Sequence, residues 1–297
     1  MTSELTTTRD FLRYAVSRFR AAKLVHGHGT TSVIDEAAFL ILETLHLPVG
    51  DINPWLDATL LPLERKQLFD IIEARITTRK PAAYLLKKTY MHGIPFYVDE
   101  RVIIPRSYIG DFLAGGMLGP DGDVLVDADN VSSILDLCTG SGCLAILASN
   151  FFPDAIIDAT DLSADALDVA RINLKELDVE NQITLHQGDL FAPVMDKRYD
   201  LILANPPYVA KAETEAFPPE YKAEPLMAHI SGVDGLDMTR RILRDVSLHL
   251  NPGGVLICEI GTGRTIIEAE FPALDLLWLD TEQSRGEVFL LRGGTPE

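Results

Sequence analysis

Residues 134–146 read ILDLCTGSGCLAI. An apolar run carrying Asp136 passes through Thr139-Gly140-Ser141-Gly142 into a segment that suits a helix, so a strand, a tight turn and a helix are expected in that order. Glycines let the turn close and let a ligand approach the backbone, and a helix N-terminus adds polar donors. The spacing alone leaves the ligand open. Gly140-Ser-Gly142-Cys-Leu-Ala145 also fits the dinucleotide fingerprint, with Asp161 about 20 residues further on. A nicotinamide enzyme and a turn that binds nothing both remain open at this point.

The flanking sequence repeats the strand–helix alternation. SSILDLC, AIIDATD, QITLHQ, YDLILAN, GVLICEI, LDLLWL and GEVFLLR read as seven strands, with helices such as SADALDVARINLKEL between them. This predicts a doubly wound, mainly parallel α/β sheet. Upstream the period changes. TRDFLRYAVSRFRAAKL sets Phe11, Leu12, Ala15, Val16 and Phe19 on one helical face, and VIDEAAFLILETLHL and LERKQLFDIIEARITTR repeat the pattern. KKTYMHGIPFYVDERVIIP then reads as a hairpin about a glycine turn. The expected division is a helical domain over 1–84, a hairpin linker over 85–106 and the α/β domain over 107–297.

The 297-residue length and 47% hydrophobic composition suit an ordinary globular chain of about two domains. Cys138, Cys143 and Cys258 form no CxxC pair and are expected to be reduced, in a cytoplasmic setting. MTSELTTTRDFLRY lacks the layout of a signal peptide, and no apolar run approaches membrane-spanning length. The histidines, His26-Gly-His28 included, form no metal-ligand pattern, so no metal is expected. The net charge of −18 is unevenly spread: residues 1–106 carry 14 Lys/Arg against 12 Asp/Glu, and residues 107–297 carry 12 against 32. An acidic half of this kind is poorly suited to wrapping nucleic acid. It suits a basic partner, or simply solubility. The basic residues of the first domain, Arg13, Arg18 and Arg20 among them, leave a weak RNA contact there as an expectation.

Three carboxylates close successive strands of the α/β half. Asp136 is placed to accept from a cationic ammonium, and Asp161 to take the two hydroxyls of a ribose or to cap the next helix in competition with Ser163. Asp189 is placed to accept from an adenine amino group, or to sit in a surface turn. Together they converge on the carboxyl edge of the sheet, and they suit a nucleoside with an amino-acid tail. The fourth strand ends in LILANPPYVA, Leu201 to Ala210. Pro206 and Pro207 fix the backbone, so the side-chain oxygen of Asn205 and the carbonyl of Pro206 become two acceptors for one planar –NH2 group, with the Tyr208 ring stacked on it. Held in that way, a poorly nucleophilic nitrogen would be aimed at the methyl group of a sulfonium. An ordinary strand-end turn is the plain alternative.

With these residues in place, the sequence resembles the Asn-Pro-Pro-Tyr class of S-adenosylmethionine-dependent methyltransferases, and within it the protein-glutamine methyltransferase family. The resemblance runs through VDERVIIPR, DLCTGSG, ATDLS, GDLF, ANPPYV and SGVDGLDMTRRIL. It implies the seven-stranded methyltransferase sheet, S-adenosyl-L-methionine as cofactor and a glutamine side-chain amide as acceptor. It implies cofactor contacts at Asp136, Cys138, Thr139, Gly140, Gly142, Asp161, Asp189, Leu190 and Asn205, and a catalytic set of Asn205, Pro206, Pro207 and Tyr208. Cys138 stands where many methyltransferases have Gly. Phe96 and Arg106 are candidates for the site lining, beside their plainer readings as a packed aromatic and a solvated cation. LRYAVSRFRAAKLVHGHGT, FYVDERVIIPRSYIG and EYKAEPLMAHISGVDGLD resemble the branch acting on large-subunit ribosomal protein uL3, free or in a ribosomal precursor, rather than the branch acting on peptide-release factors. An adenine methyltransferase is the third alternative. Glu213, Glu215, Glu220 and Glu224 are expected to guide the basic substrate or to form a solvated loop.

Overall fold

The computed structural model describes residues 4–30, 32–117, 124–280 and 284–294. The outer limits of the expected division, residues 1 and 297, lie outside the described residues. Four helices open the chain: α1 (Thr8–Ala21), α2 (Val33–Thr44), α3 (Pro62–Thr78) and the short α4 (Ala82–Leu86). Local chemistry starts them. The Thr7 hydroxyl accepts from the Asp10 N–H and Asp10 accepts from the Thr7 N–H, and Ser32 caps α2. Phe11, Ala15 and Phe19 then meet Leu40, Ile41, Leu68 and Ile72 in a core of their own. The apolar spacing had predicted that face.

The hairpin follows as β1 (Thr89–Met91) and β2 (Ile94–Phe96), paired antiparallel. It lies on α5 (Tyr108–Ala114) because Gly110 leaves room: a Cβ there would stand 2.3 Å from Met91 Cε. Phe96 is buried in the core of the α/β part, so it is the packed aromatic of its two readings.

The remaining elements are β3 (Ser133–Leu137), α6 (Cys143–Phe151), β4 (Ile156–Asp161), α7 (Ala164–Glu176), β5 (Ile183–Gln187), β6 (Tyr199–Ala204), α8 (Asp237–Asp245), β7 (Leu250–Glu259), α9 (Arg264–Glu270), β8 (Leu276–Leu279) and β9 (Val288–Arg292). They build a seven-stranded sheet in the order β5-β4-β3-β6-β7-β9-β8. Among the described strands of this sheet six point the same way and β9 alone is reversed, antiparallel to both β7 and β8. Alternate residues enter opposite cores: Ile134, Leu201 and Ile257 face one, Leu135, Ile202 and Leu256 the other. The chain leaves β3 towards β4 and β5, then returns to lay β6 on its other side. That reversal opens a crevice at the carboxyl ends of β3 and β6. Leu137 pairs with Thr160 on one side and Ala204 on the other, so the residues following the three strands meet there. The three cysteines are free thiols. Among the described residues no helix is long and apolar enough to cross a membrane.

Candidate functional site

The turn after β3 is held from behind. Asp136 is fully buried, and its Oδ2 accepts from Thr139 Oγ1 at 2.5 Å and from the Ala145 N–H at 3.1 Å. Its Oδ1 is buried without a hydrogen-bond partner. Burial outweighs those two hydrogen bonds and pushes the carboxyl up to about 7. Cys138 takes φ +59°, followed by Gly140 at +57° and Gly142 at +82°. Cys138 thus adopts the left-handed backbone that glycine takes without steric cost. The backbone course expected of a glycine survives the side chain. A Cβ on Gly142 would lie 3.3 Å from Leu174 Cδ1, a tight contact, whereas a Cβ on Gly140 would meet open space.

Asp161 ties β4 to this turn. Its Oδ2 accepts from the Gly140 N–H at 2.9 Å and its Oδ1 from the Ser163 N–H at 2.8 Å. Ser163 is the residue that caps α7. Asp189 accepts from Arg241 Nη2 at 2.7 Å, and its other oxygen is shielded and unpartnered. The plain surface turn therefore becomes an ion pair to α8. Leu190 is buried beneath it with φ +48°.

Two clefts meet at Asn205. One is lined by Cys138, Thr139, Gly140, Pro206 and Tyr208 and runs to Phe217 and Tyr221. The other is lined by Cys138, Gly140, Asp161, Pro207 and Met227. The structure thus gathers eight predicted residues around one crevice: Cys138, Thr139, Gly140, Asp161, Asn205, Pro206, Pro207 and Tyr208. Asp136, Gly142, Asp189 and Leu190 are outside the lining of these two clefts.

Tyr208 is fixed more tightly than its motif discloses. Its hydroxyl donates to Glu259 Oε1 at 2.9 Å, and Glu259 Oε2 accepts from Ser107 Oγ at 2.8 Å and the Tyr108 N–H at 3.0 Å. Burial pushes the Glu259 carboxyl up to about 7 against these hydrogen bonds and raises the Tyr208 hydroxyl well above its usual range. Two glycines clamp the residue. A Cβ on Gly235 (φ +85°) would stand 2.3 Å from the Tyr208 carbonyl oxygen, and one on Gly261 would stand 2.9 Å from its ring. The glycine of DGLD, legible beforehand only as part of a family mark, is here a steric requirement, and Gly261 after β7 is a second one. Glu259 was missed because one acid in a buried strand carries no pattern; its signal was the end of β7 next to β6.

The strap between Val209 and Gly235 corrects one expectation. Glu213 and Glu215 are exposed, but Glu220 and Glu224 are buried and do not form a solvated acidic guide. Glu224 accepts from both Nη atoms of Arg106 at 2.6 Å and from the Ile104 N–H at 3.0 Å. Arg106 is therefore no solvated cation: it lines the first cleft, paired, with its guanidinium over the Tyr221 ring. Glu220 pairs with Arg79 at 2.6 Å and accepts from the Val25 N–H, which ties the strap to the N-terminal helices. Those residues were read as surface because their spacing along an irregular segment shows no face.

Comparison with known proteins agrees with this geometry. Residues 123–217 match the family model described as the methyltransferase small domain. A ribosomal protein uL3 glutamine methyltransferase of Bradyrhizobium diazoefficiens is 56% identical over 289 residues, 96% of this chain and 90% of that protein. One of Burkholderia pseudomallei is 49% identical over 292 residues, 96% of this chain and 94% of that protein. Among solved structures, the hMettl16 catalytic domain in complex with MAT2A 3'UTR hairpin 6 is similar in fold, with a TM-score of 0.51 at 14% identity over 83% of this chain and 87% of that one.

Proposed function

The chain belongs to the ribosomal protein uL3 glutamine methyltransferase family, and we propose that Asn205 is the residue at which its transfer of a methyl group to the side-chain amide nitrogen of a uL3 glutamine is carried out. S-adenosyl-L-methionine, when bound, supplies the electrophilic methyl carbon. The residues present fit that cofactor. The unpartnered Oδ1 of Asp136 leaves an acceptor behind the turn, Gly140 leaves open space where a side chain would stand, and Asp161 opens onto the cleft beside them. Asp136, Cys138, Thr139, Gly140, Gly142, Asp161, Asp189 and Leu190 are the residues we assign to holding it.

The single observation that carries the assignment is that Asn205 lines both clefts, the one with Asp161 and the one with Tyr208. Its side-chain oxygen and the Pro206 carbonyl accept the two N–H bonds of the glutamine amide, and the Tyr208 ring supports the amide plane. Gripping both N–H bonds aims the nitrogen lone pair into the adjoining cleft and stabilises the positive charge that develops on that nitrogen. The proton then leaves to solvent. Pro206 and Pro207 hold the acceptors in place, and Glu259 holds Tyr208.

We assign residues 1–84 to target recognition, 107–297 to the chemistry and 85–106 to the link between them. The target is a basic protein, taken free or within a ribosomal precursor in the cytoplasm. Any weak RNA contact by the N-terminal helices falls to the exposed Arg13 and Arg20, since Arg18 is held by Glu73. The test is Asn205→Ala with uL3 as substrate, followed by mass spectrometry of the methylated peptide. Transfer should fall by roughly 10²-fold or more with cofactor affinity retained; undiminished turnover would remove Asn205 from the reaction.

A further inference from the structure

Three clefts join end to end. The first contains Asn205 and reaches Pro105, Arg106, Ser107 and Tyr208. The second shares those four residues and continues past Glu259 and Asp111 to Gly29, Thr30 and Tyr90. The third shares the last three and lies between α2 and the hairpin, lined by Asp35, Ala38, Phe39, Leu42 and His28. One groove therefore leads from the candidate reacting residue onto the N-terminal helices.

We propose that this groove holds the extended main chain of the target polypeptide on one side of its glutamine, and that the terminal cleft takes a lysine or arginine side chain from that segment. The proposal rests on the glutamine-methylation reading for the identity of the polypeptide, and on three observations for the groove itself. The first is continuity: a polypeptide that presents a side chain at Asn205 has a formed path leading away from it. The second is His28. The residue is 7% exposed, yet neither ring nitrogen has a hydrogen-bond partner, and the nearest carboxylate, that of Glu224, stands 3.8 Å away. The ring is held against Tyr221, with centroids 4.2 Å apart. Burial keeps it neutral, its pKa lowered to about 4, so one nitrogen donates and the other accepts. The two nitrogens point away from each other, so a peptide N–H or C=O arriving at the ring meets one of them, and leaving that nitrogen unmet is costly.

The third observation is charge. Asp35 stands exposed at the third cleft, its carboxylate engaged among the described residues only by its own helix cap, and Asp111 stands along the second beside His92. Among the described residues the one guanidinium on the shared path, Arg106, is already neutralised by Glu224. Phe39 and Ala38 offer apolar surface for an aliphatic stem, with the Asp35 carboxylate available to its cationic head. A target that is an RNA-binding, basic protein supplies such side chains.

The test uses the full chain and peptides centred on the methylated glutamine of uL3, one extending about two residues to each side and one extending about ten. Asp35→Lys reverses the charge, and Ala38→Trp fills the cleft from a half-exposed helix position. Affinity is read by fluorescence anisotropy, and cofactor binding by calorimetry checks that each variant is folded. Both variants should weaken the long peptide about tenfold and leave the short peptide's affinity as it was. Changing the peptide's lysines and arginines to alanine one at a time should reveal one position whose loss is no longer felt in Asp35→Lys. Unchanged long-peptide affinity, or equal weakening of both peptides, would overturn the groove. If the variants behave as expected but the unsubstituted protein transfers no methyl to glutamine, the groove stands and the reaction assignment falls.

Discussion

Replacing Glu224 with Gln tests whether the buried carboxylate at the site wall holds that wall in place. Its oxygens receive both Arg106 nitrogens at 2.6 Å and the Ile104 N–H at 3.0 Å, and the residue is 3% exposed. Burial alone would raise its pKa, but the hydrogen bonds from Arg106 and His229 and the Arg106 charge bring it from 4.5 to about 2. That displacement corresponds to roughly 3 kcal/mol of folded-state stabilisation. Because the folded pKa is the lower one, the contribution is complete above about pH 4.5 and drains away as the pH falls towards 2. The substituted amide has nearly the same shape but no charge at any pH, and it strands Arg106 beside the cleft. Breaking a buried pair costs about 3–5 kcal/mol, in line with the titration figure. Urea unfolding at pH 7 should therefore show a loss of about 3 kcal/mol. Hydrogen exchange should quicken at residues 102–108, because the amide offers one acceptor oxygen to the three donors that the carboxylate meets. Glu224→Gln should also make the acid-side decline expected between pH 4.5 and 2 shallower, the remainder coming from other lowered carboxylates such as Asp99 and Asp234. A stability change under about 1 kcal/mol, with protection at Ile104 intact, would mean that the pair is not holding the wall.

Gly140→Ala places a methyl group where nothing stands within 4 Å. It should cost only about 1 kcal/mol of stability, for the left-handed backbone, while S-adenosylmethionine affinity measured by calorimetry drops about tenfold; unchanged affinity would mean the turn does not face the cofactor. Gly235→Ala drives a Cβ to 2.3 Å from the Tyr208 carbonyl, so thermal unfolding should reveal a loss of about 2 kcal/mol or more and turnover should fall; a variant with wild-type melting and rate refutes the clamp. Glu259 has its folded pKa raised from 4.5 to about 7, so its contribution falls as pH rises between those values. Glu259→Gln should make that part of the cofactor-free stability profile shallower, with Asp136 supplying the slope that remains, and an unaltered slope would place the titration elsewhere.

Much of the fold could be read because its information is periodic or terminal. The apolar spacing of Phe11, Ala15 and Phe19 marks a helix face, and seven short β-rich runs mark a sheet. The reversal of strand order at β3 follows once those runs alternate with helices. The turn and the strand end beside the crevice were legible where the backbone itself needs special chemistry: Gly140, Gly142 and the two prolines after Asn205. Legibility ended where a residue's role depends on a partner far along the chain. Glu224 meets Ile104 and Arg106 across more than a hundred residues, and Glu259 meets Ser107 across a still longer interval. Nothing local distinguishes such an acid from a solvated one.

That distinction changes what the acidity of the second half accomplishes. Residues 107–297 contain 32 acids, and several of the acids near the crevice are turned inward. Asp136 braces the glycine turn, Glu259 holds Tyr208, Glu224 neutralises Arg106 and Glu220 holds Arg79 of the N-terminal helices. The first two have carboxyls raised by burial and the third has one lowered by its cation, so sign and partner, not net charge, decide what each does. The N-terminal helices are consequently fixed to the same strap that walls the cleft at Asn205, through Glu220, and the cap of α5 reaches the same crevice through Ser107. A displacement of the helices would be transmitted to Tyr221 and Arg106 before it reached the glycine turn. The N-terminal helices and the wall at Asn205 therefore share one connection through the strap, while the glycine turn is anchored separately on β3 and β4.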